Sequence, residues 1–429
     1  MNKSKIIAGI DVGSSKITTI IGSASEEEVK VIGVASVPSR GMRKGQIVDI
    51  EEATAGVIES VEAAERMAGY SLNQVLVSVG GPHLASQNST GVVAVAEPEG
   101  EITSQDVERV TEAAKAISLP SSREIIHVIP RSFTVDGQGG IKDPVGMSGV
   151  RLEVETHIIT GSATAIRNLT KCISETGANM RGLVVSGLAA AESVLTETEK
   201  ELGVVLIDIG GGVTNVVIFV EGAPFYTSVL PLGAKNVTND LAIGLRVSLE
   251  TAEKIKIALS VKERKPILPS EKEEEVKEED EINLVNLGID EEIKTVSRKT
   301  LIEGIIKPRL NEIFTMVGLE IKNSGATGLT PAGVVICGGG AQTVGVVQAA
   351  KKTLAMPIRV GAPRGVSGLI DDIQTPDFAV ATGLLLYGAG GEEKQSVSFS
   401  FKQIGQRLPK IPVSGVANKF WELLKSFLP

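Results

Sequence analysis

Aromatic residues are scarce in this 429-residue chain, at 3%. Its cores must therefore be built mostly from Val, Ile, Leu and Ala. Hydrophobic residues reach 42%, which excludes global disorder. Cysteine is nearly absent. Cys172 and Cys337 lie far apart without a metal-type spacing, which excludes a disulfide framework and a zinc site and suits a reducing cytosol. His83, His127 and His157 also lack metal spacing and read as structural. No Lys/Arg-rich run stands out and net charge is −9, so nucleic acid is not an expected partner. No apolar run of about 18 residues occurs, which excludes a bilayer-spanning helix. The first apolar run is broken by Asp11, too early for a signal peptide.

What is abundant is glycine, 47 residues, much of it in tight clusters. The length implies two to four domains at roughly 100–200 residues each. The pattern predicts strand, glycine turn and strand over Ile6–Ile21, a helix over Glu51–Ala68 and a strand at Val75–Val79. Residues 83–162 read as a separate small α+β unit. It holds a strand at Gly91–Val95 and a capping-box signal at Thr103–Asp106 opening a helix to about Ile117. Strands at Glu124–Ile129 and Leu152–Thr160 follow. Next come helices over Ala163–Thr176 and Ala189–Glu197, with a strand at Gly182–Val185 between them. A second glycine hairpin spans 203–220. A helical stretch, Asn236–Leu259, is interrupted at Gly244. A long helix over about 291–323 leads to a strand at Val334–Cys337, and the core ends near Tyr387. Residues 271–281 carry eight acids and two lysines and read as a solvated loop or frayed helix.

An internal repeat carries the chemistry. Ile10-Asp11-Val12-Gly13-Ser14-Ser15 matches Ile207-Asp208-Ile209-Gly210-Gly211-Gly212. Small residues let backbone N–H groups approach phosphate oxygens. An Asp at each turn can hold a hydrated Mg²⁺, an ion that keeps several waters and takes few carboxylates. Two opposed hairpins could clamp a triphosphate, with Lys16 reaching a phosphate as a point charge. A third element, Val334–Cys337 running into Gly338-Gly339-Gly340, adds a bare backbone ahead of a helix N-terminus. No P-loop and no Ser/His/Asp or Cys/His motif occurs. Glu253 and Lys256 form a helical i, i+3 pair, read either as a surface ion pair or as a contact with ribose and adenine.

The three elements, in this order, resemble the actin and chaperone ATPase superfamily. The stretches VVLIDIGGGVTNVVIF (204–219), GAKNVTNDLAIGL (233–245), AEKIK (252–256), VVICGGGA (334–341) and ATGLLLYG (381–388) look like the bacterial cell-division protein FtsA family. The resemblance covers nearly the whole chain. It implies an α/β, actin-like two-lobed ATPase fold of ribonuclease H-like repeats, with an FtsA-type inserted subdomain and a C-terminal amphipathic helix. The first lobe would take residues 1–82, 163–195 and 368–388, and the insert 83–162. The second lobe would take 196–232 and 306–367, with its own subdomain at 233–305. A flexible linker, 389–414, and a membrane-targeting helix, 415–429, would follow.

The resemblance further implies ATP and Mg²⁺ as cofactors. Around the nucleotide it places Asp11, Gly13, Ser14, Ser15, Lys16, Asp208, Gly210, Gly211, Gly212, Thr214, Gly233, Asn236, Glu253, Lys256, Gly338, Gly339, Gly340 and Gln342. Asp11 and Asp208 would hold Mg²⁺ through water. The implied function is a cytoskeletal protein that polymerises with ATP and tethers the tubulin-like FtsZ ring. It would sit at the division site, on the cytoplasmic face of the bacterial inner membrane, and dock FtsZ through about 233–305. Alternatives are a pilus-assembly adaptor of the same fold, or a kinase or phosphatase of the superfamily. Two departures stand out. Asn215 replaces an Asp common in the family, and Ser186-Gly187 replaces the Glu-Pro of chaperone relatives. The second removes a candidate water-positioning carboxylate, so at most a slow ATPase is expected.

The tail has its own pattern. Val416, Phe420, Leu423, Leu424 and Phe427 fall on one helical face. Asn418, Lys419, Glu422, Lys425 and Ser426 fall on the other, with Trp421 at the border. From Lys402 onward there are five Lys or Arg and one Glu, a sign reversal that fits anionic lipid. The membrane contacts would be Val416, Phe420, Trp421, Leu424 and Phe427. The alternative is a helix docked on its own core.

Overall fold

The computed structural model describes residues 5–26, 28–96, 100–262, 281–283, 295–369 and 373–390. The linker beyond Gly390, the tail helix and acidic residues 271–280 lie outside the described residues.

The first lobe opens with strands β1 (Lys5–Val12), β2 (Lys16–Ala24) and β3 (Val29–Pro38), helix α1 (Ile50–Ala68) and strand β4 (Gln74–Val79). Asp49 caps α1 by accepting from the amides of Glu51 and Glu52, and Gly69 closes it in a left-handed conformation. The chain then enters the inserted unit: β5 (Ala85–Ala94), α2 (Ser104–Ala114), β6 (Arg123–Val135), β7 (Gln138–Ile141) and β8 (Arg151–Ser162). The capping box at Thr103 and Asp106 is formed as expected. Strand β7 has no sequence counterpart above, because Gln138-Gly139-Gly140-Ile141 carries no alternation to read.

The first lobe resumes with α3 (Ala163–Ser174), β9 (Asn179–Val185) and α4 (Ser186–Val194). Helix α4 starts three residues before the sequence expectation and stops before Glu197. Nearly all of it is buried, so it lacks the one-sided pattern that marks a surface helix. Gly187 belongs in it because a Cβ there would lie 2.5 Å from Val217 Cγ2. A new helix, α5 (Glu197–Leu202), begins at a Thr196–Glu199 capping box.

The second lobe follows: β10 (Val204–Ile209), β11 (Thr214–Val220), β12 (Ala223–Leu230), α6 (Ala234–Leu245) and α7 (Leu249–Lys262). The break between α6 and α7 falls at Arg246, in a left-handed conformation, and not at Gly244. Gly244 stays helical because Ile305 packs against it, 2.8 Å from where a Cβ would sit. The long helix expected from about 291 is shorter. Residues 295–297 are a strand, a one-turn helix and a π-helical turn follow, and the regular helix α8 runs Lys307–Asn323. Strand β13 (Val334–Cys337), α9 (Val346–Leu354), β14 (Ile358–Val360) and α10 (Ala379–Ala389) complete the described chain.

The lobes share one topology. The first sheet runs β9-β4-β1-β2-β3, with a short edge at Ser367–Gly368; the second runs β14-β13-β10-β11-β12. In each, an antiparallel hairpin is flanked by a parallel strand on the side of its first member. Both repeats of the Asp-Gly motif thus occupy the same place in equivalent sheets. Strand β10 is buried on both faces: Val204 and Leu206 pack toward the first lobe, Val205, Ile207 and Ile209 into the second-lobe core.

The insert forms its own sheet, β5-β8-β6-β7. It also rests on the edge strand β12. Ser86 Oγ donates to the Thr227 carbonyl at 2.7 Å, and Arg131 lies 4.6 Å over the Phe225 ring. His157 sits buried between Asn88 Oδ1 (2.7 Å) and Thr227 Oγ1 (3.0 Å). His127 accepts from the Val185 amide at 3.2 Å, joining the insert to β9. Both histidines are structural, as their spacing implied. Burial pushes His127 down to about 4 and His157 down to about 3.

A histidine whose folded pKa lies below its unfolded 6.5 binds its proton more weakly when folded. Stability is therefore retained above pH 6.5 and falls as pH drops from there toward 4. His127→Gln, which can still accept from Val185, is expected to flatten the loss between pH 7 and pH 5 by roughly 2 kcal/mol. Urea denaturation of both proteins at the two pH values measures it. Parallel losses would show that His127 titrates normally.

Candidate functional site

Both hairpins close with the same bond. The Gly13 amide donates to the Lys16 carbonyl at 3.1 Å, and the Gly210 amide to the Val213 carbonyl at 2.9 Å. The two turns then press together across the lobes. A Cβ on Gly211 would lie 2.7 Å from Ser15 Cβ, and one on Gly212 2.9 Å from Ser14 Cβ. Glycine at these two positions therefore serves hairpin-to-hairpin contact as well as any ligand.

A cleft of about 420 Å³ opens beside them. It brings together Asp11, Gly13, Ser14, Ser15 and Lys16 from the first hairpin, and Asp208, Gly210, Gly211 and Gly212 from the second. Glu253 and Lys256 come from α7, and Gly338, Gly339, Gly340 and Gln342 from the third glycine element. Thr214, Gly233 and Asn236 stand behind the wall and do not line it. Thr214 Oγ1 donates to the Leu232 carbonyl at 2.8 Å, and Asn236 Oδ1 accepts from the Gly233 amide at 3.0 Å. They seat α6, whose first amides, Ala234 and Lys235, donate to the Gly210 and Gly211 carbonyls at 2.9 Å each.

The two aspartates face one another's charge. Asp11 accepts from Ser78 Oγ at 2.6 Å and Asp208 from Asn215 Nδ2 at 2.8 Å. Burial raises both pKa values, taking Asp208 to about 7, and the charge on Asp11 adds to the rise at Asp208. Two desolvated carboxylates at one cleft fit a hydrated divalent cation, which would relieve both. The Asn215 Oδ1 atom is buried without a partner among the described residues.

The third element supplies shape. Gly338 has φ +79, and a Cβ there would meet Asp208 Oδ1 at 2.3 Å; one on Gly340 would meet Ile209 Cγ2 at 2.3 Å. Gly339, by contrast, has room for a Cβ, which would meet only Asp377 Cβ at an ordinary 3.6 Å. Lys16 is held by Asp377 at 2.5 Å and lies 3.7 Å over the Phe378 ring. Gln342 Nε2 donates to the other Asp377 oxygen at 2.6 Å. Burial alone would raise the Asp377 pKa, but the Lys16 charge and the hydrogen bonds from Lys16 and Thr375 together outweigh it and hold the carboxylate low.

The Glu253–Lys256 pair is buried at its lysine and partly exposed at its glutamate. Lys256 is buried, 2.7 Å from Glu253 and 2.9 Å from Thr238 Oγ1, and Ile257 and Val261 beside it expose apolar side chains to the cleft. Sequence reasoning missed Asp377 and Lys235. Asp377 stands in an ordinary Pro-Asp-Phe helix start outside any glycine motif, and Lys235 lies within the 233–245 stretch but was passed over between Gly233 and Asn236.

Two equivalent sheets, each delivering an Asp-tipped glycine turn to a shared cleft, define an actin-like ATPase fold. Solved structures agree on the fold. The PilM-PilN type IV pilus biogenesis complex matches with a TM-score of 0.62 at 18% identity, over 90% of this chain and 99% of that one. MreB5 of Spiroplasma citri, bound to ADP, matches at 0.52 and 12% identity, over 91% and 98%. Within that class the sequence is more specific. Residues 81–160 match the model for the SHS2 domain inserted in FtsA, and residues 205–383 match the model for cell division protein FtsA. The chain is 37% identical to cell division protein FtsA of Pseudomonas aeruginosa over 411 residues, 95% of each chain. It is 36% identical to that of Bacillus subtilis over 414 residues, 96% of this chain and 90% of the relative. The chain belongs to the FtsA family of cell-division proteins.

Proposed function

We propose that this chain binds ATP with Mg²⁺ in the cleft, polymerises in that state, and tethers the tubulin-like FtsZ ring to the cytoplasmic face of the inner membrane. The observation that carries the nucleotide reading is the facing pair Asp11 and Asp208, each at a glycine turn on equivalent strands. MreB5, of the same fold, has been solved with ADP and with AMPPNP. Asp11 and Asp208 would hold Mg²⁺ through water, and the metal would draw charge from the phosphates. Lys16 and the hairpin amides would orient the phosphate tail, and the Glu253–Lys256 wall would take ribose and base. No carboxylate stands at Ser186 to accept a proton from water, so turnover is slow.

FtsZ would dock on the second-lobe subdomain, about 233–305. Residues 389–414 would be the linker and 415–429 the membrane helix. No helix among the described residues is long and apolar enough to cross a membrane. The amphipathic sequence pattern of 415–429 is what supports a surface-lying attachment. One copy would bind reversibly and a filament by avidity. The test is flotation of FtsZ with anionic vesicles. It should float only with the full chain and ATP, and stay behind when residues 415–429 are removed. Flotation without the tail would refute the tether.

Trp421 is the only tryptophan, so its fluorescence reports the tail alone. Anionic vesicles should shift its emission to the blue. Phe420→Glu should abolish the shift by placing a charge in the apolar face. Lys419→Glu should weaken it and reduce its salt sensitivity. Emission already blue without lipid, and indifferent to vesicles, would place the helix on its own core.

A further inference from the structure

Among the described residues three lysines line the cleft, and two are neutralised. Lys16 pairs with Asp377 at 2.5 Å and Lys256 with Glu253 at 2.7 Å. The third, Lys235, has no ion-pair partner among the described residues. Its Nζ donates to the backbone carbonyl of Ser14 at 2.7 Å, across the lobes. Its backbone is fixed. The Lys235 amide donates to the Gly211 carbonyl, and a Cβ on Gly233, two residues before it, would lie 2.6 Å from the Gly210 carbonyl oxygen. The ammonium is thus delivered to the gap between the two turns from a rigid helix start.

We propose that Lys235 is a phosphate-binding residue: its ammonium leaves the Ser14 carbonyl for the phosphate tail of a nucleoside di- or triphosphate. This rests on the nucleotide reading above and names the cation that would answer the ligand's charge. The Ser14 carbonyl offers the ammonium only a dipole, whereas a phosphate oxygen offers a full opposite charge, so the exchange turns an ion–dipole bond into an ion pair with a hydrogen bond. Burial currently lowers the Lys235 pKa, with Glu253 raising and Lys256 lowering it. An anion at this point reverses that cost, and it gains most from the one cleft cation that, among the described residues, no carboxylate already holds. The swap also makes the inter-lobe bond depend on ligand charge, because the first hairpin is released from Lys235 only when phosphate takes its place.

The experiment uses the full chain, with isothermal titration of Mg·ATP and of adenosine, which lacks phosphate. Lys235→Met is expected to lose about 10- to 100-fold in ATP affinity, the range of one charged hydrogen bond, with adenosine unchanged within about twofold. Lys235→Gln can still donate to Ser14, so it keeps the fold contact while losing the charge, and should lose ATP affinity similarly. Lys235→Arg should retain most of it. Unchanged ATP affinity in both uncharged variants, or equal weakening of ATP and adenosine, overturns the proposal while leaving the nucleotide site standing. A wild-type chain that binds no ATP overturns the nucleotide reading, and this one with it.

Discussion

Mg·ATP raises the melting temperature of the wild-type chain and leaves that of Gly339→Val where it was. Ligand at 100 times its dissociation constant stabilises by about 2.7 kcal/mol, a shift that scanning calorimetry resolves easily. Gly339 is the informative glycine because its added Cβ meets only Asp377 Cβ, at an ordinary 3.6 Å, so the valine branches fill cleft space. The ligand-free variant should stay within about 1 kcal/mol of wild type. The neighbouring glycines cannot serve. Substitution at Gly338 or Gly340 drives a side chain into Asp208 or Ile209, and at Gly211 into Ser15, so each would disturb the fold as well. A wild-type melting temperature that ignores Mg·ATP would sink the nucleotide reading. An ATP shift that persists in Gly339→Val would mean that the phosphates lie elsewhere.

The second large effect is on stability. The same change, glycine to alanine, should have opposite signs in two helices. In α10 a Cβ on Gly383 would sit 1.7 Å from the Ala189 carbonyl of α4. Both partners are backbone in buried helices, so neither can yield as a flexible side chain could. Helix α4 also packs against the second-lobe sheet, with Gly187 against Val217, so forcing it away from α10 disturbs the junction of the lobes. Gly383→Ala should cost about 3 kcal/mol or more, at the upper end of overpacking. In α8, a Cβ on Gly318 would touch only Leu354 Cδ2 at 3.5 Å. Gly318→Ala should therefore stabilise by about 0.5–1 kcal/mol through lower unfolded-state entropy. Urea midpoints of the two variants and wild type measure both. A neutral Gly383→Ala would show that the helices do not cross at that contact.

Local chemistry was what the sequence could express. The hairpin turns were readable because Asp followed by small residues between β-branched runs is a short-range pattern, and both formed where expected. Val334–Cys337 is a strand to the residue, and the Thr103 capping box is formed. The family resemblance implied two lobes built on like repeats, and the two sheets do share one strand order. The family resemblance extended this to the insert, now matched at 81–160.

Tertiary structure decided what no local pattern holds. Lys235 meets Ser14 across 221 positions, and Lys16 meets Asp377 across 361, so neither partner carries a mark of the other. The early start of α4 was invisible because a helix buried all round has no periodic face, and its glycine is set by a neighbour rather than by its own turn. Thr214, Gly233 and Asn236 stood in matching motifs, yet only packing placed them behind the wall, seating α6, rather than in the cleft. Which glycine faces open space and which touches another backbone is likewise a property of the assembled lobes. The sequence by itself determined the turns, the repeat and the family. The meeting of lobes determined which charges are neutralised, because ion pairing depends on distance in space and not along the chain.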